Sequence, residues 1–153
     1  MSDPSVWGPS LWRILHTLAE RLGKNTNSIL IMDEQRAWIN FLHSVENIIP
    51  CKRCKEHFRV WCRKYPIEAA VVQNEARRWI WGLHTEINNE QKIASPDVSE
   101  MGDMYGKRTA NDLMRDIEEC FRHLTSAVQR THISLNSLRI FKYTLSYLRK
   151  FTD

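Results

Sequence analysis

The sequence predicts an all-α fold, because apolar residues recur at steps of three and four along nearly the whole chain. Five glycines and five prolines in 153 residues also favour long regular elements with few turns. Hydrophobic residues make up 42% of the chain, which is enough for one domain with a hydrophobic core. We therefore expect a four-helix bundle followed by an additional C-terminal helical pair.

The bundle helices follow from apolar stripes and from residues that start or stop a helix. The first stripe ends at Gly23, a residue typical of helix C-termini. Asp33 is the predicted N-cap of a second helix, which runs to about residue 48. The third and fourth predicted helices span about 51–64 and 67–89, with a proline between them.

The C-terminal part begins after the one clear predicted loop, 93–106, which is rich in helix breakers. Two amphipathic helices follow, within 110–128 and 135–148, and their apolar faces must be buried somewhere. We therefore divide the chain into a four-helix domain, 1–106, and an extension, 107–153. We expect the extension to pack on the same domain or to form a dimer interface.

Charge and the N-terminal residues bear on partners and location. The net charge is +4, and the basic excess lies in the last 47 residues, where it forms a solvated face or a weak surface for an acidic partner. No nucleic-acid motif is present, so we expect no nucleic-acid partner. No apolar run reaches the roughly 18 residues of a membrane span. The start, Met1 to Pro4, does not resemble a signal peptide, and we expect a cytoplasmic protein.

A CxxC motif, Cys51 and Cys54, lies at the predicted start of the third helix, directly after Pro50. Residues three apart on a helix share a face at roughly 5–6 Å, which is within the reach of a disulfide. The helix dipole and three neighbouring cations predict a lowered thiol pKa. By itself this motif leaves redox activity, metal binding and a structural role open.

Two helix faces combine aromatic rings with polar groups. Trp12 and His16 lie four residues apart on the first helix. On the fourth predicted helix a stripe at similar steps contains Arg77, Trp81, His84, Asn88 and Lys92. Polar groups on such faces need hydrogen-bond partners. Together the two faces suggest a flat aromatic ligand with polar edges, held between helices.

Four blocks follow one another in a fixed order: WGPSLWRILH at 7–16, CKRCKEHF at 51–58, YP at 65–66 and WIWGLHTEIN at 79–88. Their order and spacing resemble the Erv/ALR family of FAD-dependent sulfhydryl oxidases. That family has the pattern WGxxxWxxxH, then CxxCxxHF ending in a YP-like turn, then W…HNxVN. The resemblance covers about residues 5–92.

The resemblance implies a four-helix bundle that cradles FAD, and an enzyme that forms disulfides in dithiol-containing protein substrates. Cys51 exchanges with the substrate, Cys54 lies beside the flavin, and electrons pass to dioxygen to give hydrogen peroxide. The resemblance also implies a homodimer and no metal. The implied cofactor-binding residues are Gly8, Trp12, His16, His57, Trp81, His84, Ile87, Asn88 and Lys92.

This sequence departs from the family pattern in four ways. Thr85 stands where the family has an asparagine, and Lys92, the basic residue after this motif, comes one place early. No cysteine pair staples the helix-four region, and no shuttle CxxC lies in the tail. Relatives that lack both cysteine features include some from large DNA viruses, so the resemblance implies a viral protein in host cytoplasm or virion. Cys62 is roughly 12 Å along a helix from Cys54, too far to pair with it. We predict that Cys62 and Cys120 are buried free thiols, with a Cys62–Cys120 pair as the alternative.

Two other classes of protein compete with this interpretation. A zinc-binding helical module would use the CxxC pair with two ligands from His57, Cys62 or Cys120. His57 and Cys62, however, are about 140° apart around one helix, which makes one shared metal difficult. A basic helical interaction protein, acting through the extension, is the other competitor.

Overall fold

The computed structural model describes residues 3–24 and 26–152, and this part of the chain contains helices and no β-strand. The predicted all-α class is therefore confirmed. Two 3₁₀ turns, Ser28–Leu30 and Val98–Glu100, directly precede α2 and α6. The α-helices are α1 Pro4–Arg21, α2 Ile31–Glu46, α3 Lys52–Lys64, α4 Ile67–Val72, α5 Ala76–Glu90, α6 Met101–Tyr105, α7 Ala110–Val128 and α8 Leu135–Thr152.

Local chemistry explains where several helices begin and end. Gly23 lies just beyond the end of α1 with φ +75°, as its predicted role requires. Thr109 and Asp112 form a capping box at the start of α7. The predicted N-cap of α2 is wrong, because this helix begins at Ile31. Asp33 lies inside its first turn, where the positive end of the helix dipole stabilises a negative charge.

The predicted fourth helix is also corrected, because it is broken into α4 and α5. At the break Asn74 has φ +61°, and the N–H of Glu75 donates to the carbonyl of Ala70 at 2.7 Å. Asparagine is one of the few residues other than glycine that adopt this left-handed conformation. The turn allows α4 to pack on α2 while α5 packs on α1 and α3, which one straight helix could not do.

Part of the predicted loop 93–106 is helical. Asp97 and Glu100 form a capping box at the 3₁₀ turn, and α6 follows directly. Met101, the first residue of α6, is buried, while Tyr105 ends the helix. Caps and burial therefore stabilise a short helix in a segment whose breaker residues predicted none.

The C-terminal pair lies lengthwise on the bundle, α7 along α1 and α8 along α2. Leu113 and Leu124 of α7 are fully buried, as is Phe141 of α8. The ring of Phe141 lies 5.7 Å from that of Phe41 in α2. The apolar faces of α7 and α8 are thus buried against the bundle. None of the helices in the described part of the chain is both long enough and apolar enough to cross a membrane.

Candidate active site

The CxxC pair lies at the start of α3, as its sequence predicts. Cys51 is the N-cap, and its sulfur accepts a hydrogen bond from the backbone N–H of Cys54 at 3.2 Å. Cys51 is only 5% exposed, whereas Cys54 is half-buried in the first turn of the helix. Both are free thiols in the structure, which therefore represents the reduced dithiol.

The predicted lowering of the thiol pKa is wrong for Cys54 in this reduced pair. Burial raises the pKa of Cys54, and its hydrogen bond to Cys51 raises it further. The charge of Arg53 acts in the opposite direction but is weaker. Lys52 and Arg53 are exposed, so water screens their charges, while desolvation of the buried sulfur is not screened.

Cys62 and Cys120 are free thiols, as predicted. Burial is the chief cause that raises the pKa of each to about 12. Such thiols carry little thiolate at neutral pH and react slowly. Cys120 therefore behaves as a small buried hydrophobic residue, as predicted, whereas Cys62 is only partly buried.

The dithiol end of α3 lies beside the C-terminal end of α5. His57, one turn beyond Cys54, has its Nε2 at 2.8 Å from a carboxylate oxygen of Glu90. Farther along the same pair of helices, Lys64 lies 3.7 Å from Glu86. The predicted cofactor-binding stripe of α5 is thus carried by a helix that packs against α3, which carries the CxxC pair.

An aromatic cluster joins α1, α5 and α6. The rings of Trp12 and His84 stack with centroids 4.0 Å apart and an interplanar angle of 1°. The Nε2 of His16 and the Nδ1 of His84 share a hydrogen bond of 2.9 Å. Tyr105 stacks on the other imidazole, with its ring centroid 4.6 Å from that of His16. The structure therefore brings together three residues that the sequence singled out, and adds Tyr105.

Both imidazoles of this cluster are neutral at physiological pH. Burial lowers the pKa of His16 to about 3, with a smaller contribution from His84, and burial lowers the pKa of His84 to about 4. A neutral imidazole both donates and accepts a hydrogen bond. The cluster therefore presents flat rings and uncharged polar edges.

These pKa shifts predict acid destabilisation. Above pH 6.5 both histidines are neutral whether the chain is folded or unfolded, so their stabilisation is fully present. As the pH falls from 6.5 to about 4, the unfolded chain binds protons that the folded protein excludes. The free energy of unfolding should then fall by about 1.4 kcal/mol per pH unit for each histidine. Urea unfolding followed by circular dichroism at several pH values measures this slope.

His84→Gln should remove about half of the slope that the two histidines cause. His132→Gln is the matched control, because His132 is exposed and outside the cluster, and it should leave the slope unchanged. An identical slope in both variants would contradict the neutral, buried state of His84.

The other predicted cofactor-binding residues lie at several places around α5. Trp81 donates from its Nε1 to the carbonyl of Pro96 at 2.9 Å, and Asn88 donates to the hydroxyl of Ser95 at 3.0 Å. Both side chains thus hold the 93–97 segment against the helix. Gly8 and Ile87 have no polar side-chain atoms. Gly8 is buried in α1, and Ile87 packs on the core. Lys92 is exposed with φ +58°, and its ammonium group makes no hydrogen bond or ion pair among the described residues.

Tyr105 is a functional candidate that sequence analysis missed. It lies in the segment predicted as a loop, so no helical stripe directed attention to it. The only sequence signal was an aromatic residue near the end of a segment otherwise rich in helix breakers. Its stacking partner is 89 positions earlier in the chain, and no local pattern connects the two.

An aromatic cavity of about 420 Å³ lies between α3, α4 and α5, on the side where α5 faces α3. Its lining includes Trp61, Tyr65, Trp79, Trp81 and Gly82. The absence of a side chain at Gly82 allows this close packing, because a Cβ there would lie 2.8 Å from the ring of Trp61. The spacing of the two helices at this point therefore depends on glycine.

Gly82→Ala is expected to lower the free energy of unfolding by about 1–3 kcal/mol, because the added methyl group overlaps Trp61. Gly8→Ala is the matched control, since both glycines lie inside helices and a Cβ at Gly8 meets no atom within 4 Å. That control should be neutral or should stabilise by up to about 1 kcal/mol. Urea denaturation measures both changes, and equal effects at the two positions would contradict the close contact.

The described part of the chain contains no set of side chains that could bind the zinc ion of the competing hypothesis. Across residues 3–24 and 26–152, no three His, Cys, Asp or Glu side chains lie together in a way that could hold a metal ion. Tetrahedral zinc in proteins requires three or four such ligands. His57, one of the candidate ligands, is instead engaged with Glu90.

Comparison with known proteins identifies a family match over the part of the chain that carries the CxxC pair and the aromatic cluster. The model of the Erv1 / Alr family matches residues 9–107. The FAD-linked sulfhydryl oxidase of African swine fever virus (isolate Warthog/Namibia/Wart80/1980) is 28% identical over an alignment of 108 residues, and the match covers 65% of this chain and 79% of that protein. A FAD-linked sulfhydryl oxidase of Oryza sativa subsp. japonica is 26% identical over 111 residues, which are 72% of this chain and 55% of that protein.

A protein of Invertebrate iridescent virus 3, whose name also includes FAD-linked sulfhydryl oxidase, is 24% identical over 100 residues. The match covers 63% of this chain and 65% of that protein, so the chain spans less than two thirds of this relative and of the rice protein. No solved structure matches the chain. Because the family match covers well over half of the 153 residues, and contains both the dithiol and the aromatic cluster, the chain belongs to the Erv1/Alr family.

Proposed function

We propose that this protein is a FAD-dependent thiol oxidase that forms disulfide bonds in substrate proteins and passes their electrons to dioxygen, giving hydrogen peroxide. The observation that carries the proposal is the arrangement of two helices. The start of α3 carries the Cys51–Cys54 pair, with Cys51 buried and Cys54 half-buried, and α5, which packs beside it, carries His84 in a stack with Trp12. The family match, residues 9–107, contains both helices, and relatives named FAD-linked sulfhydryl oxidases match 65–72% of this chain.

The residues of the cluster fit a flavin nucleotide. Trp12, His84 and Tyr105 offer flat faces for a planar ring system, and the neutral imidazoles offer hydrogen bonds without a buried charge. Thr85, at the position of the family asparagine, has a buried hydroxyl with no protein partner among the described residues. A buried polar group of this kind favours a partner outside the protein.

The cofactor-binding set that we propose is the one the resemblance implies, with Tyr105 added. FAD, when bound, supplies the two-electron chemistry that links a dithiol to dioxygen. The protein residues bind and orient that group and exclude water from it. The proposed set is Gly8, Trp12, His16, His57, Trp81, His84, Ile87, Asn88, Lys92 and Tyr105.

The cysteines carry the exchange with substrate. A substrate thiolate attacks the sulfur of Cys51 in the Cys51–Cys54 disulfide, and Cys54 leaves as the thiolate and takes up a proton. The second substrate thiol then displaces Cys51, so the substrate leaves as a disulfide and the pair is reduced. The raised pKa of Cys54 favours its protonated form once the pair is reduced. Trapping mixed disulfides in Cys51→Ser and Cys54→Ser variants tests which sulfur the substrate attacks.

The proposed partners are dithiol-containing proteins, dioxygen and a second copy of the chain. The resemblance implies that such a dimer forms through the first two helices, as is common in the family. Here α7 packs along α1 and α8 along α2. A homodimer of this protein must therefore use the parts of α1 and α2 that α7 and α8 leave uncovered, or another surface.

An absorbance spectrum combined with an oxygen electrode tests the proposed function. Purified protein should show the two visible bands of a flavin, and should consume oxygen when a small dithiol is added. Zinc analysis of the same sample tests the competing module. A colourless protein that binds no added FAD and contains one zinc per chain would overturn the proposal.

A further inference from the structure

A buried carboxylate ties the C-terminal extension to the aromatic cluster. Asp116 of α7 is only 4% exposed, and both of its oxygens accept hydrogen bonds from arginines. The Nε of Arg13 donates to one oxygen at 2.7 Å, and an Nη of Arg108 donates to the other at 2.5 Å. Arg13 also donates to Glu119 at 2.5 Å. A buried carboxylate requires such partners, so Asp116 holds both arginines in fixed positions.

The two arginines belong to the two chain segments that carry the stacked rings of His16 and Tyr105. Arg13 lies in α1 directly after Trp12 and one turn before His16. Arg108 follows the end of α6, and its N–H donates to the carbonyl of Tyr105 at 3.4 Å. Tyr105 in turn stacks on His16. Asp116 thus links the two chain segments that carry the stacked rings.

The charges of these residues act on the Tyr105 hydroxyl. Burial raises the pKa of Tyr105, and the guanidiniums of Arg108 and Arg13 act in the opposite direction. Two cations near one hydroxyl repel each other. The carboxylate of Asp116 lies between them and compensates that repulsion. Without it, we expect the partly exposed arginines to separate and to release the end of α6.

We propose that Asp116 is a positioning residue, which acts through Arg13 and Arg108 to hold the Tyr105 ring against His16. The extension is then a working part of the candidate cofactor site, although its sequence lies beyond the motifs of that site. The effect on flavin affinity rests on the proposed function. The effect on ring stacking does not, and it is measured without flavin.

The first test uses the full-length protein without flavin. The Tyr105 ring should shift the proton NMR signals of the His16 imidazole through its ring current at pH 7. Asp116→Asn should remove most of that shift, as Tyr105→Ala should. Glu119→Gln is the matched control, because Glu119 shares Arg13 but does not contact Arg108, and it should leave the signals in place.

The second test measures the dissociation constant of FAD by quenching of flavin fluorescence. Asp116→Asn should weaken binding about tenfold, in the range expected for a residue that acts through neighbours. In the Tyr105→Ala background the same substitution should add less than about twofold, because the two residues act through one contact. Glu119→Gln should stay within about twofold of the unmodified protein.

Each result decides the proposal. Unchanged His16 signals in folded Asp116→Asn protein would overturn it, as would a full tenfold effect in the Tyr105→Ala background. If Asp116→Asn fails to fold, Arg108→Gln breaks the same link at a partly exposed residue, and the same outcomes apply. If the unmodified protein binds no FAD, the proposed function fails, and the His16 signals alone decide the role of Asp116.

Discussion

Cys54→Ser is expected to reduce thiol oxidase turnover by at least about a thousandfold while FAD stays bound. A serine oxygen cannot form the disulfide that receives the two electrons of the substrate, so no exchange cycle closes. The change replaces one atom in a half-buried side chain and leaves the aromatic cluster intact. Oxygen consumption with a dithiol measures turnover, and visible absorbance measures the bound flavin.

Cys62→Ser is the matched control for this prediction. Cys62 lies on the same helix, is also partly buried, and has a pKa raised by burial to about 12. It is roughly 12 Å along α3 from Cys54, beyond the reach of a disulfide. Turnover should therefore stay within about twofold. A Cys54→Ser protein with full activity would remove the CxxC pair from the mechanism.

Phe141→Ala is expected to lower the free energy of unfolding by about 3–5 kcal/mol. The Phe141 side chain is fully buried, and its ring lies 5.7 Å from that of Phe41 in α2 and 5.6 Å from that of Phe121 in α7. Truncation at this point leaves a cavity between the extension and the bundle. The total stability of a domain is typically about 5–15 kcal/mol, so the loss is large. Urea unfolding followed by circular dichroism measures it.

Tyr143→Ala is the control, because Tyr143 lies two residues farther along α8 and is 72% exposed. It should change the free energy of unfolding by less than about 0.5 kcal/mol. A loss below about 1 kcal/mol in Phe141→Ala would mean that α8 contributes little to the core. The packing of the extension described above would then be contradicted.

The helices themselves were largely predictable from local pattern. Apolar steps of three and four placed α1, α2, α3, α7 and α8 close to their observed bounds, because such a face must be buried. The break at Asn74 was not predicted, because the apolar pattern continues across it and the left-handed turn serves packing on different partners. The short α6 was missed because its stability comes from a capping box and from burial of Met101.

The candidate site, too, was predictable from the sequence only in part. The motifs named Cys51, Cys54, Trp12, His16 and His84, and the structure brings the last three into direct contact. The prediction of a lowered pKa for the Cys54 thiol was wrong. Burial, which raises this pKa, depends on the surrounding chain, whereas the helix dipole and nearby charges can be inferred from the sequence.

Motif order and helical periodicity were sufficient for the fold class, the family and the position of the CxxC pair at a helix start, because each follows from short local patterns and their order along the chain. Tertiary structure alone revealed that Tyr105 completes the aromatic cluster and that Asp116, 103 positions after Arg13, is bound to it. Burial and contacts between distant segments set these features. They arise only when the helices pack, and therefore no local pattern contains them.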